Sequence, residues 1–225
     1  MSTLPSNPNI SERKAKSMRH INRARFFALV MSLILIFTLL ISYARATGSD
    51  ISNSVLRLHI LANSNTDADQ QLKLAVRNRV LEETQGIFKN ARSAKESARL
   101  AEEYSEFIQS IAEDEISKHG FNYPVSVSVE KAAFPTKIYG GLSLPSGKYT
   151  AVRIKIGKAN GQNWWCVMYP PLCFADGVIT ASDEAKTALA QSLSEDSYNL
   201  VTGKNSGAIP VEIRFKIVEL FQSLF

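Results

Sequence analysis

Three side chains in this sequence have the chemistry of a reactive centre: His59, Cys166 and Cys173. Six residues, among them Pro170 and Pro171, separate the two cysteines. Three roles fit this spacing: a disulfide, a thiol nucleophile with His59 as its base, or two buried thiols. The double proline can turn the chain back and bring the cysteines together, so Cys166 and Cys173 are a candidate disulfide outside the cytosol. A cysteine–histidine enzyme usually needs a third group to orient the histidine, and no spacing identifies one.

Known catalytic signatures are missing from the sequence. It contains no H-E-x-x-H zinc motif, no Walker-type phosphate loop and no dinucleotide-binding glycine fingerprint. We therefore predict no catalytic residue, no metal ligand and no cofactor, in a protein that is not an enzyme.

A second set of residues has the composition of a protein-binding surface. Residues 163–174 include two adjacent tryptophans and a tyrosine, and these residue types dominate interface hot spots. Alternatively, one tryptophan fills the core while the other packs near an edge. His59 and Arg57 lie on the polar face of a predicted strand, where His59 either belongs to a surface site or is a solvated or hydrogen-bonded histidine. The candidate partner-binding residues are Arg57, His59, Asn63, Trp164, Trp165 and Tyr169.

The positive charge of the chain is concentrated at its N-terminus. Seven of the 26 lysines and arginines, but one of the 21 acidic residues, lie in residues 1–46. Nineteen cations and 20 anions remain in the rest of the chain, which is therefore close to neutral. Phosphate binding needs clustered positive charge on the folded surface, so nucleic acid is not a predicted partner.

An uncharged apolar run follows this basic tail. Residues 26–43 carry no charge and are long enough for a helix that crosses the hydrocarbon core of a membrane. The preceding cations predict that residues 1–25 stay in the cytoplasm and that the chain after the run lies on the other side. Ala44-Arg45-Ala46 fits the small-x-small pattern of a signal-peptidase site. Residues 26–46 are thus predicted to be either a signal peptide cleaved after Ala46 or a retained membrane anchor.

The remainder of the chain predicts one α+β domain over residues 55–225, after a short polar linker at 47–54. Alternating apolar and polar residues predict strands at 55–61, 125–129, 152–156 and 211–217, and an apolar run predicts a central strand at 164–169. Helical spacing predicts about three helices: one begins at Thr66, a second carries an apolar stripe from Leu100 to Ile111, and a third begins near Ser182. This order of elements is typical of an α+β domain with a mostly antiparallel sheet.

Several long strings of this sequence resemble the stage II sporulation protein R family. They are residues 56–64, 72–77, 147–149, 163–174 and 214–219, in that order, and the resemblance spans residues 54–222. The N-terminal tail is longer than is usual for that family, and residues 83–98 carry no recognisable motif.

The resemblance implies a function that the residues alone do not show. Proteins of this family are made in the forespore of an endospore-forming bacterium and exported into the space between its two membranes. There they are thought to activate a membrane-embedded aspartic protease, which cuts the precursor of a sporulation sigma factor. The expected partner is therefore that protease. Two alternatives stay open: an extracytoplasmic cysteine-dependent enzyme and a cell-wall-binding module.

Overall fold

The computed structural model describes residues 8–173 and 183–203, and the chain divides into two compact units, residues 1–45 and 46–225. The described residues of the first unit, 8–45, belong to α1 (Pro8–Asn53). Residues 24–53 of that helix contain an 18-residue stretch with a mean hydropathy of 2.5 and are long and apolar enough to cross a membrane. Ser32 and Thr38 donate their hydroxyls to the carbonyls of Leu29 and Leu35, so these two polar side chains are satisfied within the helix. This helix fits a signal peptide or a membrane anchor.

The elements of the second unit follow in chain order. They are β1 (Leu56–Leu61), α2 (Asp67–Phe88), α3 (Ala94–Glu103), α4 (Ser105–Lys118), β2 (Val125–Phe134), β3 (Lys137–Tyr139), β4 (Leu142–Leu144), β5 (Gly147–Ile156), β6 (Asn163–Tyr169), α5 (Asp183–Ser192) and α6 (Glu195–Thr202). The main sheet has the strand order β2-β5-β1-β6, and β3 and β4 form a separate hairpin. The pairings β2–β5 and β1–β6 are antiparallel and β1–β5 is parallel, which confirms the predicted α+β class.

The core lies between this sheet and its helices. Leu56, Leu58 and Ile60 alternate along β1 and are completely buried, as the sequence pattern predicts. Helices α2, α3 and α4 contact the sheet. Helix α2 begins where predicted, because the Thr66 side chain accepts a hydrogen bond from the Asp69 amide at 3.3 Å.

Three predictions about local structure differ from the described structure. The strand at 164–169, predicted to be central, is β6, the last strand in the described order. Residues 47–53, predicted as part of a linker, are helical: Ile51 is completely buried, and the Asp50 carboxylate accepts hydrogen bonds from the Ser194 amide and hydroxyl at 3.0 and 2.7 Å. The predicted helix with a stripe from Leu100 to Ile111 is two helices, because Tyr104 leaves the helical conformation at φ −97°, ψ 15°. The predicted strand at 211–217 lies outside the described residues.

Candidate functional site

The two faces of β1 separate the residues that were predicted to act together. Leu58 lies opposite Cys166 of β6, and Ile60 lies opposite Trp164, whose ring contacts Arg77 of α2. These residues therefore belong to the helix-covered face. Because side chains alternate along a strand, Arg57 and His59 point to the other face. We call this second side of the sheet the polar face.

Arg57 is completely buried on the polar face. Its Nη2 donates to the Tyr139 hydroxyl at 2.6 Å, and its Nε donates to the Cys166 carbonyl at 3.3 Å. The guanidinium carbon lies 4.2 Å from the ring centre of Phe134 and 4.8 Å from that of Tyr149. The faces of aromatic rings attract cations, and these rings surround the Arg57 guanidinium. Arg57 has no carboxylate partner within the described part of the chain.

Burial sets the ionisation of this cluster. It lowers the pKa of Arg57, although the neighbouring tyrosines oppose the shift. It also raises the pKa of Tyr149 to about 12, with the nearby guanidinium acting in the opposite direction. The tyrosines therefore stay neutral hydrogen-bonding groups near pH 7. Arg57 lies on a central strand beneath the β3–β4 hairpin and exposes no surface to a partner, so the structure gives no support to a direct contact.

His59 is also largely enclosed, with 7% of its surface exposed. Its Nε2 lies 3.1 Å from the Asn163 side-chain oxygen, and its ring stacks on Trp165 with a centroid distance of 5.8 Å. Burial lowers the pKa of His59; Arg153 and Lys155 add to the shift, while the bond to Asn163 and the charge of Glu130 oppose it. His59 is therefore neutral near pH 7. The structure therefore fits the interpretation of His59 as a hydrogen-bonded histidine better than its interpretation as part of a surface site.

Trp164 and Trp165 point to opposite sides of β6 and are both half-buried. The Arg77 guanidinium lies 4.2 Å from the ring centre of Trp164, and the Lys137 ammonium lies 5.1 Å from that of Trp165. Neither tryptophan is wholly in the core, so each keeps some surface for contact. Tyr169, by contrast, is 8% exposed and lies opposite Leu56, which leaves little of its side chain for a partner.

Asn63 holds two distant segments together. Its side-chain oxygen accepts from the Lys158 amide at 3.0 Å, and its side-chain nitrogen donates to the Asp69 carboxylate at 2.8 Å. The fit is tight at Gly157, where an added Cβ would lie 2.3 Å from the Asn63 oxygen and the backbone φ is +57°. Asn63 thus fixes the turn after β1 against the loop between β5 and β6, a structural role for a residue predicted to bind a partner.

Cys166 and Cys173 form a disulfide, with 5.8 Å between their Cα atoms. The Leu172 amide also donates to the Val167 carbonyl, so the chain folds back beside β6 after the double proline. The bond occupies both cysteines of the chain. Because Cys166 lies on the helix-covered face and His59 on the polar face, the two do not form a nucleophile–base pair. Within residues 8–173 and 183–203, no group of three His, Cys, Asp or Glu side chains is placed to hold a metal ion.

A cleft of about 820 Å³ lies beside the Arg57 cluster. Phe134 and Tyr149 line it together with Ser49 and Ser52 of α1. Among the described residues, its walls contain no carboxylate and no imidazole. This described part of the lining therefore lacks the acid–base groups most common in catalysis.

The charged residues that surround His59 were not among the predicted site residues. Glu130, Lys137, Arg153 and Lys155 all lie near it or its stacked tryptophan. Alternation within residues 152–156 does place Arg153 and Lys155 on one side of a strand. The pairing of that strand with β1, about a hundred residues earlier, has no signal in the local pattern.

Together, the fold and this site define an α+β domain that follows an apolar helix and carries a cluster of cations and aromatic rings on one face of a mixed sheet. A family model described as stage II sporulation protein R matches residues 52–179. The chain belongs to that family, and this assigns it a role in sporulation. Stage II sporulation protein R of Bacillus subtilis (strain 168) is 37% identical over 187 residues, which cover 78% of this chain and 83% of that relative. No solved structure matches the chain.

Proposed function

We propose that this chain is an exported signalling protein of endospore formation that binds and activates a membrane-embedded aspartic protease. The activated protease then cuts the precursor of a sporulation sigma factor. The observation that carries the proposal is membership of the stage II sporulation protein R family, across residues 52–179. In this proposal residues 47–225 act in the space between the forespore and mother-cell membranes. The apolar helix delivers them there, as a cleaved signal peptide or as an anchor.

The geometry supports a ligand over a cysteine-dependent enzyme. Both cysteines are bonded to each other, and the disulfide lies on the face of the sheet opposite His59. A thiolate is the nucleophile of such enzymes, and a disulfide has none. In this proposal the chain acts only while it is bound: it shifts the protease toward an active state by binding that state more tightly than the inactive one.

The same residues give less support to a cell-wall-binding module. Trp164 and Trp165 point to opposite sides of β6, so they do not form one continuous stacking platform. Trp164 packs on Arg77 of α2, and Trp165 packs on His59 and beside Lys137. Each tryptophan is thus engaged within the domain, and only Trp165 lies on the polar face.

The test is a titration of the full chain against the protease in reconstituted membranes that contain the sigma-factor precursor. Precursor cleavage should rise with the amount of chain and saturate near one chain per binding site on the protease. It should also fall when the chain is removed. If a trace of chain leaves the protease permanently active after removal, the chain is an enzyme. If no amount of chain changes cleavage, the proposal is wrong.

A further inference from the structure

The polar face of the sheet is covered over one half and accessible over the other. The β3–β4 hairpin lies over the Arg57 half, where the Tyr139 hydroxyl also donates to the Trp165 carbonyl at 3.4 Å. The other half is formed by two rows of side chains that pair across β5, β1 and β6. The rows are Arg153, His59 and Trp165, and then Lys155, Leu61 and Asn163. All of them except His59 keep intermediate exposure. We call these six residues the open patch.

The open patch and its border carry a net positive charge. Arg153 forms an ion pair with Glu130 of β2, whose side chain is 40% exposed. Lys155, and Lys137 at the border beside Trp165, form no ion pair with any described residue. Three cations therefore face one acid. This local excess contrasts with the near-neutral composition of the chain after residue 46.

The first row of the open patch also has unmet hydrogen-bonding capacity. Arg153 Nε, His59 Nδ1 and Trp165 Nε1 are enclosed and have no hydrogen-bond partner among the described residues. An enclosed polar nitrogen without a partner costs about 1–3 kcal/mol. Small side-chain rotations, which are common when interfaces form, would let a docked oxygen accept from Arg153 Nε and Trp165 Nε1. His59 Nδ1 would instead accept from a docked donor, because the neutral ring carries its proton on Nε2, which donates to the Asn163 oxygen.

From these observations we propose that the open patch binds an acidic segment on the extracytoplasmic side of the membrane-embedded protease. This inference rests on the proposed function and names the surface and the chemistry of its partner. Carboxylates of such a segment pair with Lys155 and Lys137, and its carbonyl or carboxylate oxygens accept from Arg153 Nε and Trp165 Nε1. The half-exposed ring of Trp165 supplies apolar contact area at the centre of the contact, where aromatic side chains are most effective.

A protein segment fits the open patch better than a lipid surface does. Lipid recognition typically uses clusters of about four to eight lysines and arginines. The patch and its border offer three cations with an acid among them, set around a half-buried aromatic ring. Mixed charges around an aromatic centre are typical of a protein interface.

The test uses charge reversal at Lys155 with a matched control on the other face. Lys155→Glu is compared with Lys131→Glu: Lys131 lies on β2, is exposed, and points away from the polar face because it neighbours Glu130. Each full-length variant is expressed with the protease and the sigma-factor precursor in a bacterium that does not sporulate. Precursor cleavage is measured, and capture of the protease by the tagged chain is followed in detergent extracts. Thermal unfolding confirms that each variant folds.

We expect Lys155→Glu to weaken capture of the protease by about threefold or more. The double variant Lys155→Glu with Lys137→Glu should weaken capture by about tenfold. These factors match the energies of exposed charge pairs. Lys131→Glu should match the wild type. Raising the salt from about 50 to about 500 mM should weaken capture by the wild type more than by the Lys155→Glu variant.

The outcomes separate this inference from the proposed function. If the wild type activates the protease, and the folded Lys155→Glu variant activates it equally well and captures it equally at both salt concentrations, the open patch is not the contact. If the wild type itself does not activate, the proposed function fails. A third arm uses vesicles of anionic phospholipid without protease. If the wild type binds these vesicles in a Lys155-dependent manner and captures protease independently of Lys155, the patch is a lipid site and the inference is overturned.

Discussion

The buried Arg57 gives the sharpest prediction about stability. Arg57→Ala removes the donors to the Tyr139 hydroxyl and the Cys166 carbonyl and leaves a space between the rings of Phe134 and Tyr149. Leaving a buried polar group without its partner costs about 1–3 kcal/mol, and truncating a large buried side chain adds a cavity term. We therefore expect these two terms together to lower the free energy of unfolding by about 3–5 kcal/mol.

Arg57→Met separates the loss of packing from the loss of charge. Methionine fills much of the same space and removes the cost of burying a cation that has no carboxylate partner among the described residues. Its expected cost is below about 2 kcal/mol, because apolar replacement of buried charged groups is often tolerated. The Ala variant should therefore be clearly less stable than the Met variant.

Thermal unfolding of the full chain in detergent, followed by circular dichroism, measures both variants. For a domain of this size each kcal/mol shifts the melting temperature by about 2–4 °C, so Arg57→Ala should melt about 6–20 °C below the wild type. Arg99→Ala is the matched control: its side chain is 64% exposed in an ion pair with Glu103, and a change of less than about 1 kcal/mol is expected. If Arg57→Ala melts with the wild type and loses only protease activation, Arg57 is a contact residue and the reasoning from burial fails.

Three further predictions follow from the disulfide, the histidine and the apolar helix. Thiol labelling of denatured, unreduced protein from its native compartment should find no free cysteine, and two free thiols would contradict the bond. Replacing both cysteines, Cys166→Ser with Cys173→Ser, should lower the free energy of unfolding by about 2–3 kcal/mol, since the closed loop is short. Burial lowers the pKa of His59 below 6.5, so the stability that the neutral ring contributes is fully present above that pH and is lost as the pH falls through the lowered pKa. The loss of unfolding free energy between about pH 7.5 and about pH 5.5 should therefore be smaller in His59→Gln than in the wild type. The loss should persist in the control His119→Gln, whose side chain is 48% exposed. An equal loss in the wild type and His59→Gln would assign the effect to other groups. A reporter that works only in the cytosol should stay silent when fused to the C-terminus, and a bright signal would refute export; mass spectrometry of the mature N-terminus distinguishes cleavage after Ala46 from anchoring.

Local patterns predicted the elements of this fold better than they predicted which residues meet. The alternation in β1 correctly places Leu56, Leu58 and Ile60 on one buried face. The same alternation suggested that Arg57 is exposed, since a charged residue between apolar ones usually faces water. Its burial depends on Tyr139, 82 residues away, and on the β6 strand 109 residues away. Such pairings depend on strand order, which a local period does not encode.

The same distinction applies to the segments that resemble the family. Three residues taken from them as candidate contacts are explained by the fold: Arg57 is buried, Asn63 joins the turn after β1 to a distant loop, and Tyr169 lies in the core. Resemblance in such segments is good evidence of a shared fold, because their side chains make contacts that few replacements preserve. For the same reason it is weak evidence of where a partner binds.

Lys137, Arg153 and Lys155 lie outside the segments that carry the resemblance and are at least partly exposed. Substituting them changes surface charge and leaves the core intact, so a loss of activation in these variants would report on binding. A loss of protease activation in Arg57 or Asn63 variants would instead indicate a folding defect, because these side chains hold the domain together. A search for the contact surface should therefore begin with residues outside the resembling segments and accept a variant only after its unfolding transition matches that of the wild type.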